Sequence, residues 1–245
     1  MDNADLERRA RVELAAAYRV AALEGMDDGV FNHFSVAVPG QEGRFLLKPF
    51  GPLFEEATAS GLIKVDLSGR IIEGEGVWEP TAFHIHARIH AAVPRAKCIM
   101  HSHAPYATAV SSLTDMRILP VNQSSMRFVQ RTAYLEQYGG LVLDEREADQ
   151  IVAAFQDKDV LMMANHGVMV IGPSVSHCLY DLHYLEVAAR DQWNALAMNQ
   201  PLRLVTDAVI DTTAGQMVEE RRMAADIHLA AMMRKLDREN PGYRA

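Results

Sequence analysis

Hydrophobic side chains recur at helical spacing over residues 5–24 (DLERRARVELAAAYRVAALE), and Gly25 is placed to end the run, so the spacing predicts an N-terminal helix. The pattern then changes period. FNHFSVAVP alternates as a half-buried strand does, RFLLKP predicts a second strand, and LIKVD and GRIIEG predict two more joined at Ser68-Gly69. Four short strands so close together favour a partly antiparallel sheet over a repeated βαβ wind. Residues 81–93 contain no breaker and predict a helix that stops before Pro94. An apolar strand, KCIM, runs straight into His101-Ser102-His103, and Pro105 suits the first turn of the next helix. Residues 113–142 carry mixed signals and predict no element. Beyond them come a helix over 145–155, two strands in VLMMANHGVMVIG broken at Asn165-His166-Gly167, and a long helix capped by Ser174 that reaches about residue 198. A connector at 200–205 leads to a final charged helix ending near Pro241.

Residues 1–206 are therefore expected to form one α/β domain. Residues 207–245 are expected to form a helical arm, packed on that domain or on a neighbouring subunit. The 245-residue chain is long enough to bury one sizeable core, and 49% hydrophobic with 23% charged residues is ordinary for a globular protein. A net charge of −8 argues against nucleic acid or an anionic membrane as the main partner. Cys98 and Cys178 lie in apolar or helical stretches without metal-knuckle spacing, which predicts two buried free thiols. The charged N-terminus lacks the apolar core of a signal peptide, so a cytoplasmic location is expected.

The ten histidines carry the candidate chemistry. His101 and His103 sit at i and i+2 on a strand end, where alternate side chains face the same way. His166 sits in a bend ahead of Gly167, between two apolar runs. Singly, each of these rings is most simply a hydrogen-bonded, half-buried histidine. Jointly they are the three protein ligands of a divalent metal with an open coordination position, the arrangement of a catalytic site. A second group, His84, His86 and His90, lies on the 81–93 helix. His86 and His90 share a face; His86 is expected behind the metal or against the substrate, His90 as structural, and His84 as exposed.

The stretches NHFSVAVPG, FLLKPFGPLFEEATASGLIKVDLSG, HIHARIHAAVPRAKCIMHSHAPYATAVS and MMANHGVMVIG resemble the class II aldolase/adducin family in order, from about residue 28 to 190, most closely its adducin-like branch. The resemblance implies a three-layer α/β/α fold around a mainly antiparallel sheet, one catalytic divalent metal on His101, His103 and His166 (zinc, manganese or iron), and a homotetramer with sites near subunit interfaces. The departures matter as much. The acid/base glutamate of the sugar-phosphate aldolases falls on Ala82, and Glu79 could replace it only through a suitable backbone bend. In the phosphate-gripping positions stand His33, Ser35, Phe50 and Gly51, and only Thr81 remains of a hydroxyl pair. These five positions are expected to contact substrate, with Arg127 as a further partner for a carboxylate.

A phenylalanine offers a phosphate dianion no donor, so a non-phosphorylated carbonyl or carboxylate compound is expected. The chemistry implied is carbon–carbon lyase chemistry, either aldol cleavage or decarboxylation, with His86, Glu79 or Tyr106 supplying the proton transfer. Two alternatives stand beside it: a non-haem iron oxygenase acting on an aromatic or keto acid, and a non-catalytic, adducin-like assembly module.

Overall fold

The computed structural model describes residues 2–142 and 145–245. Helix α1 (Asn3–Leu23) starts where the Asp2 carboxylate accepts the Asp5 amide and ends ahead of Gly25, whose φ of +68° suits glycine. The following strands are β1 (His33–Ala37), β2 (Arg44–Leu47), β3 (Ile63–Asp66) and β4 (Ile71–Glu73). Helix α2 (Pro80–Ala92) leads into β5 (Cys98–Ser102), α3 (Pro105–Ser111), β6 (Thr132–Leu135) and α4 (Glu145–Phe155). Strands β7 (Val160–Met163) and β8 (Gly167–Gly172) precede the long helices α5 (Val175–Ala197) and α6 (Asp207–Glu239).

The strands form one sheet in the order β4-β3-β2-β1-β5-β8-β7-β6. Every pairing is antiparallel except β6 with β7, which run parallel and are joined through α4. Side-chain alternation sends Phe34, Val36, Cys98, Met100, Met162 and Val170 to one face, against α1, α3, α5 and α6. Ile99, Leu161, Met169 and Ile171 point to the other, against Ile85, Ile89 and Phe155 of α2 and α4. The result is three layers, and each fully buried Phe or Leu contributes about 1.5–3 kcal/mol by leaving water. Met162, Met163 and Met169 fill this core, and both cysteines are buried and free.

Strand β6 answers the segment for which the pattern predicted nothing. It is a four-residue edge strand with only one buried residue, so neither alternation nor length marked it. Helix α6 packs on α5 and α1 of its own chain. Its end is pinned by Arg19, which donates to the Asn240 carbonyl, and by the Ala59 amide, which donates to the Tyr243 carbonyl. No helix among the described residues is long and apolar enough to cross a membrane.

Candidate metal centre

The ends of β1 and β5, the β7–β8 bend and the start of α2 meet at one end of the sheet. His33 on β1 stands opposite His101 on β5, and both point to the α2 side of the sheet. His103 follows two residues later on the same side. His166 reaches them because Asn165 adopts φ +55° and Gly167 φ +154°, turning the chain sharply between β7 and β8. Gly167 is needed for a second reason. A Cβ built there falls 2.7 Å from the Ser102 carbonyl oxygen and 2.9 Å from His103 Cδ2.

His101, His103 and His166 each offer a nitrogen within 4.8 Å of the others, and their ring centroids lie 4.7, 5.0 and 5.1 Å apart. His101 Nδ1 donates to the Val168 carbonyl at 2.9 Å, which leaves Nε2 with its lone pair. His103 Nδ1 lies 2.8 Å from Asp28 Oδ2, and its backbone amide donates to Asn32 Oδ1 at 2.9 Å. His103 Nε2 is buried and has no hydrogen-bond partner among the described residues. A buried polar atom in that state is costly unless something occupies the space it faces. Burial, reinforced by the neighbouring imidazoles, holds His101 well below the usual histidine range, and burial with the His103 ring beside it lowers His166 to about 4. Neutral imidazoles are the form that binds a metal, so this donor set fits a divalent ion with open positions.

The rings open into a cavity of about 220 Å³, walled by Asp28, Phe31, Asn32, His33, Thr81 and Tyr138 among others. Among the described residues no lysine or arginine lines it, and Asp28 and Glu79 are the carboxylates in its wall. Asn32 is 95% buried in this wall with φ +63°, and its Nδ2 has no partner among the described residues. A larger cleft of about 820 Å³ lies at the opposite end of the sheet, between α1 and the β1–β2 turn, but it contains none of the three converging histidines.

The structure brings some of the expected contact residues to this cavity and leaves others elsewhere. His33, Thr81 and Glu79 line it. The Glu79 carboxylate caps α2, accepting the Ala82 amide at 2.7 Å and the Thr81 hydroxyl at 2.6 Å. His86 does not line the cavity. It is 1% exposed and lies one layer behind, its Nε2 2.7 Å from His33 Nδ1 and its Nδ1 2.5 Å from Ser35 Oγ. Ser35 is wholly buried and is also held by His90, so it faces α2 and not the cavity. Phe50 is 38% exposed beside Phe31 at the rim, and Gly51 stays in the turn beyond it. His84, expected to be exposed, is half-buried and sits 5.7 Å from the Phe83 ring.

Two residues are far from the place expected for them. Tyr106 opens α3 and packs against Trp193, while the Glu186 carboxylate accepts the Tyr106 and Ala107 amides. The free amides of a helix N-terminus draw a carboxylate, and here the Tyr106 and Ala107 amides on Glu186 fix Tyr106 away from the cavity. Arg127 is buried against Tyr180 and Glu220, held by α5 and α6. Among the polar cavity residues, Asp28, Asn32 and Tyr138 were not expected to contact substrate, although Asn32 adjoins His33 in the stretch that replaces the family's phosphate-gripping motif. Asp28 was the most discoverable, because a ligating histidine ordinarily has a carboxylate or carbonyl on its other nitrogen. Tyr138 lies in the segment without periodicity.

Residues 12–193 match the family model described as the class II aldolase and adducin N-terminal domain. A class 2 aldolase-like protein of Caulobacter vibrioides is 38% identical over 241 residues, covering 98% of this chain and 93% of that one. Alpha-adducin of Rattus norvegicus is 38% identical over 196 residues, which covers 78% of this chain but 26% of the adducin. The crystal structure of an aldolase II superfamily protein from Pseudomonas syringae superposes with a TM-score of 0.90 at 37% identity, covering 98% of this chain and 96% of that one.

Proposed function

This chain belongs to the class II aldolase and adducin family, and on that premise we propose that it is a divalent-metal-dependent carbon–carbon lyase, of aldolase or decarboxylase type, acting on a small non-phosphorylated carbonyl or carboxylate compound. The observation that carries the reading is the convergence of three imidazoles around the buried Nε2 of His103, which has no partner among the described residues. A divalent ion bound there (zinc, manganese or iron) supplies Lewis acidity to a carbonyl or hydroxyl oxygen.

The chain's own residues do the rest. His101, His103 and His166 present lone pairs, and Asp28 and the Val168 carbonyl fix two of those rings in orientation. Asn32 Nδ2 is a buried donor free to hold a substrate oxygen. Ala82, 2% exposed on α2, has no proton to exchange, and both oxygens of Glu79 are engaged in capping. His33, on the cavity wall beside His101 with ring centroids 4.8 Å apart, is the titratable group best placed to face substrate. The lack of any lysine or arginine in the wall among the described residues disfavours a phosphate dianion. Phe31 is 55% and Leu141 68% exposed around the mouth, and in the homotetramer that the family resemblance implies a neighbouring subunit would cover them.

The test is turnover by metal-replete protein on a panel of keto acids, hydroxy acids and aldol donors, with and without a chelator. Metal-dependent carbonyl or carbon dioxide release, abolished in His166→Ala, is the expected result. The similarity to alpha-adducin favours a second reading, a non-catalytic assembly module. That reading predicts no turnover on any of these compounds and unchanged assembly in His166→Ala. Iron content with substrate-dependent oxygen uptake would replace the lyase with an oxygenase.

A further inference from the structure

Behind the cavity, four side chains form a single hydrogen-bonded line whose direction is fixed at its far end. The Ala96 carbonyl can only accept, so His90 Nδ1, 3.1 Å away, carries a proton. Burial lowers His90 to about 4, so at neutral pH the ring is neutral and its Nε2 is bare. Ser35 Oγ lies 2.8 Å from that nitrogen and must donate to it. With its proton so placed, Ser35 Oγ accepts from His86 Nδ1 at 2.5 Å. His86 Nε2 is then bare in turn and accepts from His33 Nδ1 at 2.7 Å.

We propose that the Ala96 carbonyl, His90, Ser35 and His86 lock His33 in its Nδ1–H tautomer, so that His33 presents a bare Nε2 to the cavity and selects ligands that offer a hydroxyl proton beside the metal-binding oxygen. Ser35, His86 and His90 are positioning residues, because they act only through His33. Reversing any one bond would place two donors or two acceptors face to face inside a buried line, at the cost of unsatisfied polar groups. The Nδ1–H form is the minority tautomer of a free histidine, so its presence requires a cause, and the Ala96 carbonyl supplies one. The ligand class implied is an α-hydroxycarboxylate or hydroxycarbonyl compound. A compound whose corresponding oxygen can only accept is disfavoured. The ligand preference rests on the metal-site reading above, whereas the tautomer assignment does not.

Neutron diffraction from zinc-loaded crystals locates the exchanged protons directly. Deuterium on Nδ1 of His33, His86 and His90, with His33 Nε2 bare, is the expected result; deuterium on His33 Nε2 would overturn the assignment. Calorimetric titration of the zinc-loaded protein then compares glycolate with methoxyacetate, which lacks the hydroxyl proton. One hydrogen bond predicts a preference of about tenfold for glycolate. Ser35→Ala should reduce it to within about twofold while leaving zinc content unchanged. Equal affinity of the wild-type protein for both ligands contradicts the selection. Should Ser35→Ala fail to fold, the wild-type diffraction and titration still decide. Failure to retain zinc would remove the lyase reading, yet metal-free crystals would still report the His33 tautomer.

Discussion

Replacing Gly167 by alanine adds one methyl group at the point where the β7–β8 bend crosses the end of β5. The new Cβ would lie 2.7 Å from the Ser102 carbonyl oxygen and 2.9 Å from His103 Cδ2. The first neighbour is backbone, paired in register with β8 through Ser102 and Val168, and cannot turn aside. The residue also holds φ +154°, which an L side chain resists. Such a backbone conformation costs roughly 1–3 kcal/mol, and overpacking a tight site costs a further 1–3 kcal/mol or so. Relief comes from moving His103 and the bend that carries His166 apart. If about 2 kcal/mol of the strain falls on that geometry, zinc affinity drops roughly 30-fold. Competitive titration against a chromophoric chelator measures this, and thermal unfolding of the metal-free protein measures the remainder. Wild-type zinc affinity together with an unchanged melting temperature would refute the reasoning, because the methyl group would then have found room that the backbone does not leave.

Other perturbations test other parts of the account. Asp28→Asn removes the carboxylate from His103 Nδ1, and a lost partner of this kind weakens metal binding roughly 10–100-fold with little change in melting temperature; the same chelator titration reads it. Tyr18→Phe deletes a buried hydroxyl that donates to the Phe34 carbonyl and accepts the Phe34 amide at 2.8 Å. The stranded amide should cost about 1–3 kcal/mol in urea unfolding. Asp181→Ala removes the buried carboxylate 2.8 and 2.7 Å from Arg131 and Arg221 and leaves both sharing Asp159, at 3.3 and 3.5 Å. Because Asp159 still offsets part of their charge, a loss below the roughly 3–5 kcal/mol of a fully broken buried pair is expected. The metal-free protein should also lose stability as pH falls. His90 and His166 are lowered by burial from 6.5 to about 4, and burial holds His33, His86 and His101 well below 6.5 as well. Between those values the unfolded chain binds more protons than the folded one, so stability is full above about 6.5 and falls toward pH 4. A melting temperature that stays flat across that window would contradict it.

The three-layer fold was legible because its central strands and long helices carry strong periodicity. The 23 residues of α5 follow the cap residue Ser174, whose hydroxyl accepts the His177 amide as a capping residue should. The HxH spacing placed His101 and His103 on one side, and Asn165-His166-Gly167 announced a bend. What stayed hidden was set by contacts between distant segments. The loop from 113 to 142 is held by side chains such as Gln192, which accepts the Leu119 amide and donates to the Arg117 carbonyl. No local pattern reports such contacts, and so Tyr138 and β6 went unseen. The same blindness placed Tyr106 and Arg127 at the site, because the carboxylates that hold them, Glu186 and Glu220, lie 80 and 93 residues away. His86 and His90 were visible as one helix face. Their link to Ser35 depends on β1 lying beneath α2, a tertiary fact.

The central claim is that His101, His103 and His166 hold one divalent ion. X-ray diffraction from metal-replete crystals, with anomalous data on both sides of the zinc edge, tests it most directly. The account predicts one anomalous peak per chain, bonded to three imidazole nitrogens at about 2.0–2.1 Å, with Asp28 on the far nitrogen of His103. A map with no peak between the three rings, or with the ion bound elsewhere while His103 Nε2 remains unpartnered, would contradict it.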